Sequence, residues 1–179
     1  MVVPGMTVPA ITDRPSFLRL GLMIALAGIV VDQASKWWIF LDIMRPPQSI
    51  PVTPFFNLVL TWNTGISFGI FNNSGSFNSW FLSLLAIAIV VFLVFWLRKA
   101  DNRWLAAGLG LIIGGALGNV IDRAVHGAVA DFLDFHLSGY HWPAFNGADS
   151  FIFIGAAIII LDSLFSRRPD ENRIEQDEQ

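Results

Sequence analysis

The chain has 179 residues, 54% of them hydrophobic and only 14% charged, with a mean hydropathy of +0.59. A soluble domain carries about 45–50% apolar and about 25% charged residues, so the composition argues against an ordinary water-soluble globule. There is no cysteine, which excludes a disulfide framework, a thiolate zinc site and a cysteine nucleophile, and the net charge of −3 collects in the last ten residues, leaving no basic patch for nucleic acid.

Residues 1–16 read as a cytoplasmic N-terminal segment ahead of a single domain, 17–166. The first helix is expected at about 20–41, Leu20 to Leu41, with Asp32 and Lys36 inside it. Its apolar run ends at Asp32-Gln33 and not at a small-x-small cleavage site, so it is expected to remain as an anchor. Asp42 to Phe77 follows as an outer segment. Within it the apolar run Phe55 to Trp62 reads as a short strand, and Asn63-Thr64-Gly65 supplies a turn. The second helix is expected at 80–97 (Trp80 to Leu97) and the third at 104–121 (Trp104 to Ile121). Each has 18 residues without a charge, enough for a hydrocarbon core about 30 Å thick. Asp122 to Asp149 forms the second outer segment. The fourth helix is expected at 150–166 (Ser150 to Ser166), and 167–179 is an acidic, disordered cytoplasmic tail.

The fold class that follows is an all-α membrane protein of four transmembrane helices with a small extracytoplasmic β-sheet. Eight of the eleven basic residues fall on one side of that arrangement, with Arg45 and Arg123 on the other and Lys36 inside helix one. The positive-inside rule then places both termini in the cytoplasm.

Four constellations carry candidate chemistry. Asp32 and Lys36 lie four apart on one helix face, where ionisable groups at membrane depth are paired and mark structural or functional polar sites. Gly110, Gly114 and Gly118, with Gly108 and Gly115 nearby, have the small-xxx-small spacing that lets helices approach closely, so helix three is expected at the centre. Asn119, Asp122 and Arg123 form a polar cluster at its outer end, with Arg123 either an interfacial anchor or a ligand for a substrate carbonyl or lipid phosphate. Asp131 sits in an apolar setting and Asp149 opens helix four, where it can be a simple N-cap. If helices three and four are neighbours, the two carboxylates can meet, share a proton and activate water as in an aspartic protease. His126, His136 and His141 with Asp131 and Asp134 could instead supply metal ligands, although no H-x-x-x-H or H-E-x-x-H spacing is present. A small proton-coupled transporter using Asp32, Lys36 and Asp122 is a further alternative.

Asp32-Gln33-Ala34-Ser35-Lys36, Asn63-Thr64-Gly65-Ile66-Ser67-Phe68, Gly114 to Arg123, Val129-Ala130-Asp131-Phe132 and Phe145 to Ser150 resemble, in order and spacing, the successive motifs of lipoprotein signal peptidase (signal peptidase II). The resemblance covers roughly residues 17–166. It implies a bacterial inner-membrane aspartic endopeptidase that needs no cofactor or metal and has its active site at the outer face. Such enzymes cut diacylglyceryl-modified prolipoproteins just before the lipidated cysteine. Asp131 and Asp149 fall on the family's catalytic dyad. Asn63, Asn119, Arg123 and Asn146 fall on the pocket for substrate and globomycin, and Asp32 and Lys36 on a first-helix polar motif, with Asp122 as a further polar support. The turn ending at Gly65 would hold the substrate extended. Ile66-Ser67 stands where many members have two alanines, and Ala130 where some have valine. The expected partners are the lipidated substrate and membrane lipid, with no nucleic acid, and the chain is expected to work as a monomer.

Overall fold

The structure, a computed structural model, describes residues 16–65 and 75–165. Residues 1–15, the Ile66-Ser67 departure and the acidic tail lie outside the described residues. Helix α1 spans Leu18–Trp38 and continues as one π-helical turn, Ile39–Ile43; α2 spans Gly75–Leu97, α3 Arg103–His126 and α4 Gly147–Phe165. All four are long and apolar enough to cross a membrane. Strands β1 (Ile50–Thr53), β2 (Phe56–Asn63), β3 (Val129–Leu137) and β4 (Tyr140–His141) form one antiparallel sheet in that order at one end of the bundle.

Helix α3 is central because its small residues let two neighbours touch its backbone. A Cβ on Gly110 would lie 2.5 Å from the Gly21 carbonyl oxygen, and one on Gly114 would lie 2.6 Å from that of Ala25, so this face carries α1. On the adjacent face a Cβ on Gly108 would lie 2.8 Å from the Gly155 carbonyl oxygen, and one on Gly115 would strike that of Ala148; this face carries α4. Away from the sheet, Val90, Leu93 and Leu97 of α2 pack with Ala106, Leu109 and Ile113 of α3 in the main apolar core. The remaining large side chains of α2, such as Trp80, Leu84 and Phe92, point outward, as a lipid-facing helix requires.

Two glycines in this interface respond oppositely to an added methyl group. Gly114→Ala forces backbone apart and is expected to cost about 1–3 kcal/mol. Gly28→Ala meets only ordinary contacts, 3.6 Å from a Phe151 ring carbon and 3.7 Å from the Gly114 Cα. It should be neutral or gain up to about 1 kcal/mol of helix propensity. Thermal midpoints in detergent read both, and equal effects would contradict this packing.

Three expected boundaries move. Helix α3 runs five residues beyond Ile121 because the first residue to offer a left-handed cap is Gly127 (φ 74°), whose N–H donates to the Arg123 carbonyl (3.0 Å). Asp122 and Arg123 are therefore helical. Helix α4 starts at Gly147, ahead of the expected 150, and α2 at Gly75, ahead of 80. The expected strand at 55–62 is β2, but β3 carried no two-residue alternation to announce it. Val129 to Phe132 are all buried, so both faces of the strand are covered.

The sheet docks on the end of α1. Phe132 packs with Ile39 and Met44, flanked by Ile43, Ile50, Leu58, Leu60 and Leu133. Pairing of β2 with β3 sets Asn63 opposite Val129 and Thr61 opposite Asp131, with a register irregularity between Leu58 and Thr61. Phe145 exchanges backbone hydrogen bonds with Leu133 (2.8 and 3.1 Å), which delivers the start of α4 to the same strand.

Candidate active site

At the sheet-bearing end a continuous polar network replaces the apolar core. Its base is Lys36, 1% exposed, whose ammonium meets Asp32 Oδ2 (2.8 Å), Asp122 Oδ2 (2.8 Å) and Asn119 Oδ1 (3.2 Å). Two hydrogen bonds, to Asp32 and Asn119, and a second ion pair, to Asp122, compensate the buried charge. Asp32 Oδ1 accepts the Ala148 N–H at the start of α4 (2.9 Å), where the helix dipole also favours an anion. Asp122 Oδ2 accepts the Ala130 N–H of β3 (3.2 Å), and Gln33 Nε2 donates to Asp122 Oδ1 (2.9 Å). One ion-pair cluster thus ties α1, α3, α4 and β3 together.

Above it, three asparagines orient two carboxylates. Asn119 Oδ1 accepts from Lys36 and from Asn146 Nδ2 (3.2 Å), which turns Asn119 Nδ2 toward Asp149 Oδ1 (2.9 Å). Asn146 Nδ2 also donates to Asp131 Oδ1 (2.7 Å), and Asn63 Nδ2 donates to Asp131 Oδ2 (3.0 Å). Asn63 Oδ1 in turn accepts the Gly65 N–H (3.1 Å), closing the turn and fixing the amide. Both carboxylates therefore hang on one scaffold built from β2, α3 and the α4 entry.

The expectation that Asp149 could be the N-cap of helix four is corrected. Asn146 is the cap: its Oδ1 accepts the Asp149 N–H (3.1 Å), while Asp149 Oδ2 accepts the Asn146 N–H (3.2 Å). This reciprocal pair is a capping box with Asp149 in the first turn. It spends one carboxylate oxygen on the helix and aims the other at Asn119.

Asp149, Asn63, Gly65, Asn119 and Arg123 line one cavity of about 400 Å³, walled further by Leu82 and by Trp142 to Phe145. Asp131, 2% exposed, and Asn146, fully buried, stand behind that lining. Burial pushes the Asp131 carboxyl up to about 6, and the Asp149 charge adds to the shift, against the hydrogen bonds from Asn63 and Asn146 and the more distant charge of Lys36. Arg123 lies within the field of Asp149, Asp131 and Asp122, and its Nη1 reaches the Asn119 carbonyl only at 3.5 Å.

The raised Asp131 value has a measurable consequence. The folded chain holds this proton more tightly than the unfolded chain, for which the ordinary value is 3.8. Stability from this group is therefore fully present below about 4, declines as pH rises and is lost above about 6. The thermal midpoint of the wild type minus that of Asp131→Asn should fall across this window and then level. A flat difference would show that Asp131 titrates normally.

No role was anticipated for Gln33 or Phe145, although each lies within a quoted motif; Leu82 and Trp142 to Ala144 carry no pattern that marks them. Asp134, unassigned from sequence, lies elsewhere on the sheet. Burial alone would raise its pKa, but hydrogen bonds from His141 (2.8 Å) and Asn57 (2.9 Å), with the charges of His141 and His136, hold it below the usual carboxylate value. His126 instead sits among the rings of Trp37, Phe40 and Trp62. Among the described residues no three His, Asp or Glu side chains converge as a metal-ligating group.

Residues 24–165 match the family model described as signal peptidase (SPase) II. The lipoprotein signal peptidase of Aeromonas hydrophila subsp. hydrophila is 48% identical over 159 residues, covering 88% of this chain and 95% of that one. That of Ralstonia nicotianae is 49% identical over 137 residues, 76% and 79% of the two chains. A bacterial membrane enzyme solved by the in meso method at 2.3 Å superimposes with a TM-score of 0.74 and 32% identity over 88% of this chain and 96% of that one. A second, at 1.9 Å, gives 0.72 and 34% over 84% and 96%. With its four membrane helices and this match over most of its length, the chain belongs to the signal peptidase II family.

Proposed function

We propose that the chain is an aspartic endopeptidase that removes signal peptides from diacylglyceryl-modified prolipoproteins, cutting just before the lipidated cysteine. The observation that carries this reading is the pair Asp131 and Asp149, held by one set of asparagine amides at the cavity, with Asp131 pushed up to about 6. In this reading one carboxyl of the two enters the reaction protonated and the other ionised. The ionised member takes a proton from water as its oxygen bonds to the scissile carbonyl carbon. The protonated member donates to the carbonyl oxygen, giving a neutral tetrahedral diol. As the diol collapses, the C–N bond breaks, the first carboxyl returns its proton to the leaving nitrogen, and the second is reprotonated from the diol hydroxyl. The products are a free signal peptide and an S-lipidated N-terminal cysteine. Arg123 and the Asn119 and Asn63 amides supply donors for substrate carbonyls that have left water.

The proposed setting is the bacterial inner membrane, with both termini cytoplasmic and the sheet at the outer face. Support comes from Arg19, Arg98, Lys99 and Arg103, which all lie at the bundle end away from the sheet. The protein is proposed to act as a monomer.

Purified enzyme in lipid vesicles tests the reading. A diacylglyceryl-modified prolipoprotein should be cut to a product whose mass ends at the lipidated cysteine, while the unmodified precursor stays intact. Failure to cut the modified form would overturn it.

A further inference from the structure

Trp142 begins the wall that runs to Phe145 along the cavity beside Asp149. The far end of that wall is pinned, because Phe145 bridges to Leu133. The near end has less to hold it. Trp142 is 69% exposed and follows a strand of only two residues, Tyr140–His141. Two ladder pairs, His136 with His141 and Leu137 with Tyr140, join that strand to β3, and the Trp142 N–H donates to the Phe135 carbonyl (2.8 Å). Pairing this short is marginal in water.

A cluster of side chains reinforces it. Asn57 lies directly opposite Asp134 in the β2–β3 pairing, and its Nδ2 donates to Asp134 Oδ2 (2.9 Å). Asp134 lies diagonal to His141 across β3 and β4, and its Oδ1 stands 2.8 Å from His141 Nδ1. The His141 ring also stacks on that of His136, with centroids 4.9 Å apart and planes at 22°. Asp134 is 7% exposed, so water competes little for its side of the bond. None of these four side chains lines the cavity beside Asp149.

Alternation carries their effect across the sheet. Successive residues of a strand point to opposite faces. His141 and Trp142 therefore leave the chain on opposite sides, and so do Asp134 and Asp131, three apart on β3. Holding His141 on one face sets the angle at which Trp142 stands on the other, beside the catalytic cavity.

We propose that Asp134 is a positioning residue for substrate binding, which acts through His141 to hold Trp142 as a firm wall for the peptide segment beside Asp131 and Asp149. The inference rests on the peptidase reading and adds to it a group remote from the reacting atoms. An indole offers a broad face with only two side-chain torsions, suited to lie along an extended peptide. Without the clamp, that face must be ordered at each binding event, and the ordering is taken from affinity. The bond-breaking step, run by the two carboxylates, keeps its rate.

The test measures kcat and KM separately for a diacylglyceryl-modified prolipoprotein in lipid vesicles. Asp134→Ala and His141→Ala should each raise KM roughly three- to tenfold, the size of one hydrogen bond, with kcat within about twofold of wild type. Asp134→Asn should recover most of the loss, because its Oδ1 still accepts from His141 while Asn57 turns its amide to present an oxygen. In a Trp142→Ala background, adding Asp134→Ala should leave KM where Trp142→Ala alone put it. A general loss of stability would not be silenced in that way. His141→Ala removes a half-exposed side chain, so it reads the clamp even where Asp134→Ala lowers the yield of folded protein. A wild-type KM in His141→Ala would overturn the inference while leaving the peptidase reading intact. So would a loss confined to kcat, or an Asp134→Ala effect that persists in full beside Trp142→Ala. No cleavage by the wild type would overturn the peptidase reading and this inference with it.

Discussion

Asp131→Asn and Asp149→Asn each lower cleavage of a diacylglyceryl-modified prolipoprotein by at least about 10³-fold, and the double variant is hardly worse than either. A positioned general acid or base contributes about 10²–10⁴-fold. In the proposed mechanism one group accepts a proton while the other donates one, so losing either disables both, and the effects do not add. The structure separates this loss from a loss of folding. Asp131 receives two asparagine amides, Asn63 on Oδ2 and Asn146 on Oδ1. An asparagine there keeps one acceptor and sets its own amide against the other donor, a local cost of about 1–2 kcal/mol. Asp149→Asn similarly weakens either the Asn119 contact or the capping box. Both variants should remain folded, with thermal midpoints only a few degrees from wild type. Residual turnover within tenfold of wild type in a folded variant would remove that aspartate from the mechanism.

Lys36→Met is expected to cost about 3–5 kcal/mol of stability, the largest loss among single changes away from the carboxylate pair. Breaking a buried ion pair from one side leaves charge with no partner, which is the expensive direction. The cost here is compounded because Lys36 serves two carboxylates, Asp32 at 0% and Asp122 at 2% exposure. The double variant Asp32→Asn, Lys36→Met should regain part of the loss. The remaining Asp122 still holds the Gln33 amide and the Ala130 N–H. Activity should fall as well, since Lys36 fixes the orientation of Asn119 and hence its bond to Asp149. Thermal unfolding in detergent reads the stability and turnover reads the orientation. A Lys36→Met variant as stable as wild type would show that the cluster is not what ties α1, α3, α4 and β3 together.

By itself, the order of residues along the chain determined the four spans, the central place of α3 and the identity of the polar residues. Each rests on a local quantity. Span length is set by bilayer thickness, and the four-residue glycine spacing follows from 3.6 residues per turn. Asn63, Asn119, Asn146, Asp131 and Asp149 were legible as candidates because polar side chains are rare at such depth and their motifs have a known order. What sequence could not decide was pairing. Strand β3 was hidden because it is covered on both faces and so lost its two-residue rhythm. The role of Asn146 as cap, with Asp149 as its reciprocal partner, depends on a backbone turn that only the Phe145–Leu133 pairing positions. The three-way sharing of Lys36 among Asp32, Asp122 and Asn119 joins residues more than eighty apart in the chain. Hydrogen bonds act over about 3 Å in space, and tertiary structure alone brings distant parts of the chain within that reach.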